Sequence, residues 1–117
     1  MALGLLYDEK KVRSLFSSYA TRKYIEKGHH PGREVSFSHF NGIRTIVRLK
    51  AEGFFGVSLD CSRIEGRYQI VAVSKERVVM LYDSAYPLNP VPALSKGNYR
   101  IRLLAQAAEG SFIIRNI

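Results

Sequence analysis

The chain has 117 residues, a formal charge of +8, one cysteine and no tryptophan. That length is enough to bury a self-sufficient core, so residues 1–117 are expected to form a single domain without metal or disulfide staples. The lone Cys61 excludes an intrachain disulfide and suits a reducing, cytoplasmic compartment, and the apolar run within Met1–Lys11 is too brief for a signal segment or a membrane span.

Along the chain, Tyr7, Asp8 and Val12 read as a helix start, with Asp8 as N-cap and Tyr7 packing on Val12. Val12, Leu15, Phe16, Tyr19 and Ala20 continue at helical spacing and Gly28 terminates the run, which predicts one amphipathic helix over about residues 9–27 docked on the rest by its apolar stripe. Lys23 and Lys27 fall near its C-terminal end, where cations suit the dipole. His29, His30, Pro31 and Gly32 form a turn into a strand, Arg33–Phe40. The histidines, with His39, have no Cys or carboxylate at a ligand spacing, so no metal or other cofactor is expected. Asn41 and Gly42 read as a hairpin turn, because both tolerate positive φ.

The partner strand, Ile43–Lys50, alternates, with Ile43, Thr45, Val47 and Leu49 on one side and Arg44, Ile46, Arg48 and Lys50 on the other. Gly53–Leu59 continues as a strand and Asp60–Gly66 reads as a polar connection. Tyr68–Val73 and Val78–Tyr82, separated by Ser74–Arg77, form a hairpin pattern whose nearly continuous β-branched runs predict strands covered on both faces, at the centre of the fold. Pro87, Pro90 and Pro92 enforce an extended crossing over residues 84–96. Gly97 and Asn98 turn into Tyr99–Ala105, where Tyr99, Ile101 and Leu103 alternate with Arg100 and Arg102, and Ser111–Ile117 gives a last strand. The expected fold is mainly β, an antiparallel sandwich or barrel of about seven strands over residues 33–117 with one N-terminal helix.

No nucleophile elbow, phosphate-cradling glycine loop or paired carboxylate motif is present, so a non-enzymatic binding module is expected. The charge is uneven: residues 1–50 hold ten Lys or Arg against four acids, and residues 51–117 hold eight against six. Such a surface attracts polyanions. If the strands of Arg44 and Arg100 share a sheet, then Arg44, Arg48, Lys50, Arg100 and Arg102 line one cationic face, with Lys23 nearby and Tyr99, Tyr24 or Tyr68 as stacking groups, a surface suited to nucleic acid. The alternatives are a protein–protein module of the inhibitor or immunity type using strand edges, or a homo-oligomer paired through the same edges.

Two resemblances add to this reading. The stretches His30–Gly42 (HPGREVSFSHFNG) and Pro92–Leu103 (PALSKGNYRIRL) resemble first- and last-strand signatures of the competence protein J family, which implies a β-sandwich that binds and inhibits a partner nuclease. Arg44-Thr-Ile-Val-Arg48 is similar to the RxxxR element of the PilZ domain, and Asp60, Ser62 and Gly66 are similar to its (D/N)xSxxG element, with the glycine one residue later. That resemblance implies a β-barrel holding cyclic di-GMP through the two arginines.

Overall fold

The computed structural model describes residues 4–29, 32–53, 56–86 and 91–115. Among these residues there is one short helix, α1 (Glu9–Arg13), and six strands: β1 (Ser18–Ala20), β2 (Lys23–His29), β3 (Gly32–Ala51), β4 (Ser58–Val73), β5 (Val78–Asp83) and β6 (Gly97–Arg115). All six lie in one antiparallel sheet of order β1-β3-β6-β4-β5, and β2 pairs with β3 on the same side as β1. The fold is mainly β, as the patterning indicates. No helix among the described residues is long and apolar enough to cross a membrane.

The hairpin of β4 and β5 forms where the β-branched runs place it, its turn closed by Ser74 N–H donating to Arg77 O at 2.9 Å. However, β5 is an edge strand and not central; only β4 is flanked on both sides, by β5 and β6. Its continuous apolar character has a direct cause. Ile70 and Ala72 enter the main core with Phe37, Phe40, Leu103 and Phe112, while Val71 and Val73 enter a second cluster on the opposite face with Val12, Ile43 and Leu104. The first face is called inner here and the second outer. Each fully buried aliphatic side chain contributes roughly 1.5–3 kcal/mol relative to exposure, so both faces of β4 hold the centre together.

Three long strands replace the shorter ones expected. Residues 33–50 do not fold back at Asn41 and Gly42; β3 runs through them and pairs with β6 along its whole length. The residue types that favour a two-residue turn serve a bulge instead. Gly42 has φ +121° and His39 φ +50°, with register shifts between Phe37 and Phe40 and between Phe40 and Gly42. Opposite them, Ala107 of β6 has φ +45° and Gly66 of β4 has φ +70°. These positions form a crease across the three strands, so the single sheet bends there and its inner face wraps the core. Asn41 Oδ1 accepts from Ala107 N–H at 2.9 Å, satisfying a group that the irregular ladder leaves unpaired.

Residues 60–66 are likewise strand and not connection. Leu59 and Cys61 pack on the main core while Ser58, Asp60 and Ser62 stay exposed, and this polar outer face mimics a loop in the sequence. The expected strands Tyr99–Ala105 and Ser111–Ile117 are one strand, β6. In the proline-rich crossing, Leu94 is fully buried in the main core. Of the strand expected over 53–59, only Ser58 and Leu59 are strand, as the start of β4, while Gly53, Gly56 and Val57 are not. The turn at His30–Pro31, Phe54–Phe55, the crossing over 87–90 and residues 116 and 117 lie outside the described residues.

The helix expected over 9–27 is five residues long. Asp8 does cap it, accepting from Lys10 N–H at 2.9 Å. Of the apolar stripe, however, only Val12, inside α1, is buried; beyond Arg13, Leu15 and Phe16 are 74% and 81% exposed. Tyr19, Tyr24 and Ile25 are good strand formers, and pairing with the edge of β3 satisfies their backbone at less cost than a weakly anchored helix. Residues 4–17 therefore form a strap across the outer face. Tyr7 Oη donates to Ala105 O at 2.6 Å and accepts from Gly42 N–H at 3.0 Å, and the buried Gln69 accepts from Leu6 N–H and donates to Gly4 O.

Candidate functional site

The outer face of β6 presents Arg100 and Arg102, because Ile101 and Leu103 alternate with them into the core. Arg100 is the direct partner of Arg48 on β3 and of Val73 on β4. Lys50, two residues beyond Arg48, shares its face and stands opposite Asn98. The strap walls this surface on one side through Arg13 and Leu15, and the β4–β5 turn walls it on another through Ser74 and Lys75. The result is a groove of about 700 Å³. Five cations line it, Arg13, Arg48, Lys50, Lys75 and Arg100, and its described lining includes no Asp or Glu.

Two of these charges are partly answered. Arg13 Nε lies 3.1 Å from Glu9 Oε2, and Lys50 Nζ lies 3.6 Å from Glu52 Oε1, both in solvent where such pairs contribute little. Arg48, Lys75 and Arg100 have no carboxylate within ion-pair distance among the described residues. Burial and the Arg48 charge both pull the Arg100 guanidinium below its ordinary pKa. Arg100 is oriented by Ser14 O at 2.8 Å and Arg13 O at 2.9 Å, so its position is fixed before any ligand arrives. Arg13 is fixed in turn by the turn carbonyls of Ser74, Lys75 and Glu76 at 3.3 to 3.4 Å.

Of the sequence-predicted residues, Arg48, Lys50 and Arg100 meet in this groove. Arg102 shares their face but is fully buried beneath the strap, donating to Val12 O, Ser14 O and Phe16 O. Its alternation with Ile101 and Leu103 indicates the face correctly; the strap that covers it is a long-range feature. Arg44 is on the other side. A register shift between Thr45 and Val47 inverts the alternation, so Arg44 pairs with Leu103 of the inner set while Arg48 pairs with Arg100 of the outer set. Its guanidinium lies 4.7 Å from the Tyr24 ring centre and 5.2 Å from that of Tyr19, and 3.8 Å from Glu26. Burial works against its charge, and hydrogen bonding and charge from Tyr24, Tyr19 and Glu26 more than offset this, raising its pKa. The two arginines of the RxxxR pattern thus stand on opposite faces.

Lys23 is exposed on β2, outside the groove lining. Tyr99 contributes to the wall but is 3% exposed, its hydroxyl donating to Ser95 O at 2.8 Å and accepting from Arg77 at 3.1 Å, so its ring is not free for stacking. Tyr68 is fully buried and Tyr24 lies under Arg44. Cys61 is half-buried beside Tyr68, and burial pushes its thiol up to about 12, which makes it a poor nucleophile at neutral pH. Arg13 and Lys75 are the members that sequence reasoning misses, one assigned to the polar side of a helix and the other to a turn.

Comparison with family models, with curated proteins and with solved structures finds no match to this chain.

Proposed function

We propose that the chain is a non-catalytic module that binds the phosphate backbone of nucleic acid in the groove between the strap and the outer face of β3 and β6. The observation that carries this reading is the convergence of five cations, from α1, β3, the β4–β5 turn and β6, on a groove with no carboxylate in its described lining. Holding Arg48 and Arg100 opposite each other costs stability, since like charges directly across a ladder repel. An anion between them recovers that cost. Arginine also offers a planar donor fork that fits phosphate oxygens.

Counterion release gives the test its form. Each neutralised phosphate contributes a slope of about −0.7 to −0.9 in log K against log salt, so three to five contacts predict a total of about −2 to −4.5. Fluorescence anisotropy of labelled oligonucleotides, from about 50 to 300 mM salt, reads this slope directly. Combined Arg48→Ala, Lys50→Ala and Lys75→Ala substitutions are expected to weaken binding by at least ten-fold at low salt and to flatten the slope. Wild-type protein that gives no signal at the lowest salt, or a triple variant that binds as tightly as wild type, overturns the reading.

A further inference from the structure

The strap ends in a feature that the cationic groove does not explain. Leu15 and Phe16 are consecutive, 74% and 81% exposed, and stand at the lip of the groove. Adjacent large apolar side chains so fully in water are unusual unless they meet something. These two are also held in place. Arg102, buried at 0% exposure, donates through Nη2 to Phe16 O at 2.8 Å; Phe16 N–H donates to Ser14 Oγ at 3.2 Å; and Thr45 N–H donates to Ser17 Oγ at 3.1 Å. A ring on a pinned backbone binds without first losing the freedom of a loose loop.

The two side chains face different hollows. Leu15 lines the five-cation groove, and Phe16 lines a neighbouring hollow of about 580 Å³ together with Lys11 and Tyr19, again with no Asp or Glu in its described lining. The tip is therefore an apolar ridge between two carboxylate-free hollows. A phosphate backbone crossing it meets the five cations of the groove on one side and Lys11 on the other, and the ligand groups that reach the ridge itself are bases.

From this juxtaposition we propose that the groove takes single-stranded nucleic acid, with an unpaired base stacked on Phe16 and the backbone running from Lys11 to Arg48, Arg100 and Lys75. The proposal rests on the nucleic-acid reading above and adds strandedness and a stacking residue to it. In a duplex the base faces are covered by their neighbours, so an exposed ring beside the backbone gains nothing; in a single strand every base offers a free π-face.

The chain contains no tryptophan, so Phe16→Trp places a single reporter at the ridge. Stacking of a base on the indole is expected to quench its emission on titration with an oligothymidine, and not with a blunt-ended, loop-free duplex of equal phosphate number. In anisotropy, Phe16→Ala is expected to lose about ten-fold in single-strand affinity with an unchanged salt slope, while Phe16→Tyr retains it. Phe16 is exposed, so these variants leave the core intact. Unquenched emission with saturable anisotropy, a Phe16→Ala variant equal to wild type, or tighter binding of the duplex each overturns the single-strand proposal while leaving the groove reading standing. Absence of binding to every oligonucleotide overturns both.

Discussion

Arg48 and Arg100 are direct partners across the β3–β6 ladder, two guanidinium-bearing residues on one face with no carboxylate at ion-pair distance from either among the described residues. Opposite charges in that position stabilise a sheet by roughly 0.2–1 kcal/mol and like charges destabilise it by a similar amount. Arg48→Thr is therefore expected to raise the unfolding free energy slightly, by up to about 1 kcal/mol, read from a higher urea midpoint at unchanged m, while weakening oligonucleotide binding. Added sulfate is expected to stabilise the wild type more than the variant. A variant less stable than wild type in sulfate-free buffer shows that the pair is not a site of repulsion.

The crease makes a sharper demand on backbone chemistry. Gly66 has φ +70°, and a Cβ there meets Ala107 O at 2.1 Å. Gly66→Ala is expected to cost at least about 2 kcal/mol, read from urea unfolding, because strain and overlap act together. Ala107 carries its side chain at φ +45° and is exposed. Ala107→Gly relieves left-handed strain of about 1–2 kcal/mol at a comparable entropic cost, so it is expected to stay within about 1 kcal/mol of wild type. Equal effects at the two positions contradict this account of the bend.

The crease also shows where the sequence is legible and where it is not. Asn41-Gly42 reads as a turn because a turn and a bulge need the same thing, residues that tolerate positive φ; what separates them is whether a distant strand runs past both halves, and residues 97–115 do. The alternation Arg100-Ile101-Arg102-Leu103 survives into the structure because it is local. Arg44 is lost from the cationic face through one irregularity after Thr45, since a single-residue slip exchanges every side chain between faces. Helical spacing in Val12, Leu15, Phe16 and Tyr19 is a coincidence of period, because Leu15 and Phe16 never face the core. Arg13 and Lys75 meet across some sixty residues of chain, a contact that no local pattern encodes.

Asp83 is 6% exposed and accepts from Arg67 at 2.6 and 3.1 Å, from Gln69 Nε2 at 2.9 Å and from Ala85 N–H at 2.9 Å. Burial alone pushes its carboxyl up, but these partners outweigh it and hold the pKa below the ordinary value. A depressed carboxylate contributes stability that is fully present above the unfolded value, about 3.9, and is lost as pH falls through the folded one. Asp83→Asn is expected to cost about 1–3 kcal/mol at neutral pH, with the gap to wild type narrowing towards about pH 2. Unfolding curves at several pH values check this, and a gap independent of pH contradicts it.

Arg102 makes the opposite pH prediction. Burial, aided by the nearby Arg100 charge, pushes its guanidinium down to about 10. For a base, a folded value below the unfolded one means that the charging penalty is fully present below about pH 10 and is relieved only above it, so stability from this group is flat through the neutral range. The residue is kept because it donates to Val12 O, Ser14 O and Phe16 O, carbonyls at and just beyond the end of α1, of which Ser14 O is shared with Arg100. Arg102→Met fills similar volume and removes the buried charge, but leaves Val12 O and Phe16 O to find water and Ser14 O to Arg100 alone. The expected result is a folded sheet with a loosened strap: a loss of about 2–4 kcal/mol that does not vary between about pH 5 and 9, at least ten-fold faster hydrogen exchange over residues 11–17, and weaker oligonucleotide binding. The exchange separates positioning from contact, because Arg102 is covered by the strap. Unchanged exchange in the strap together with weaker binding places Arg102 in the groove itself and contradicts its role as an anchor.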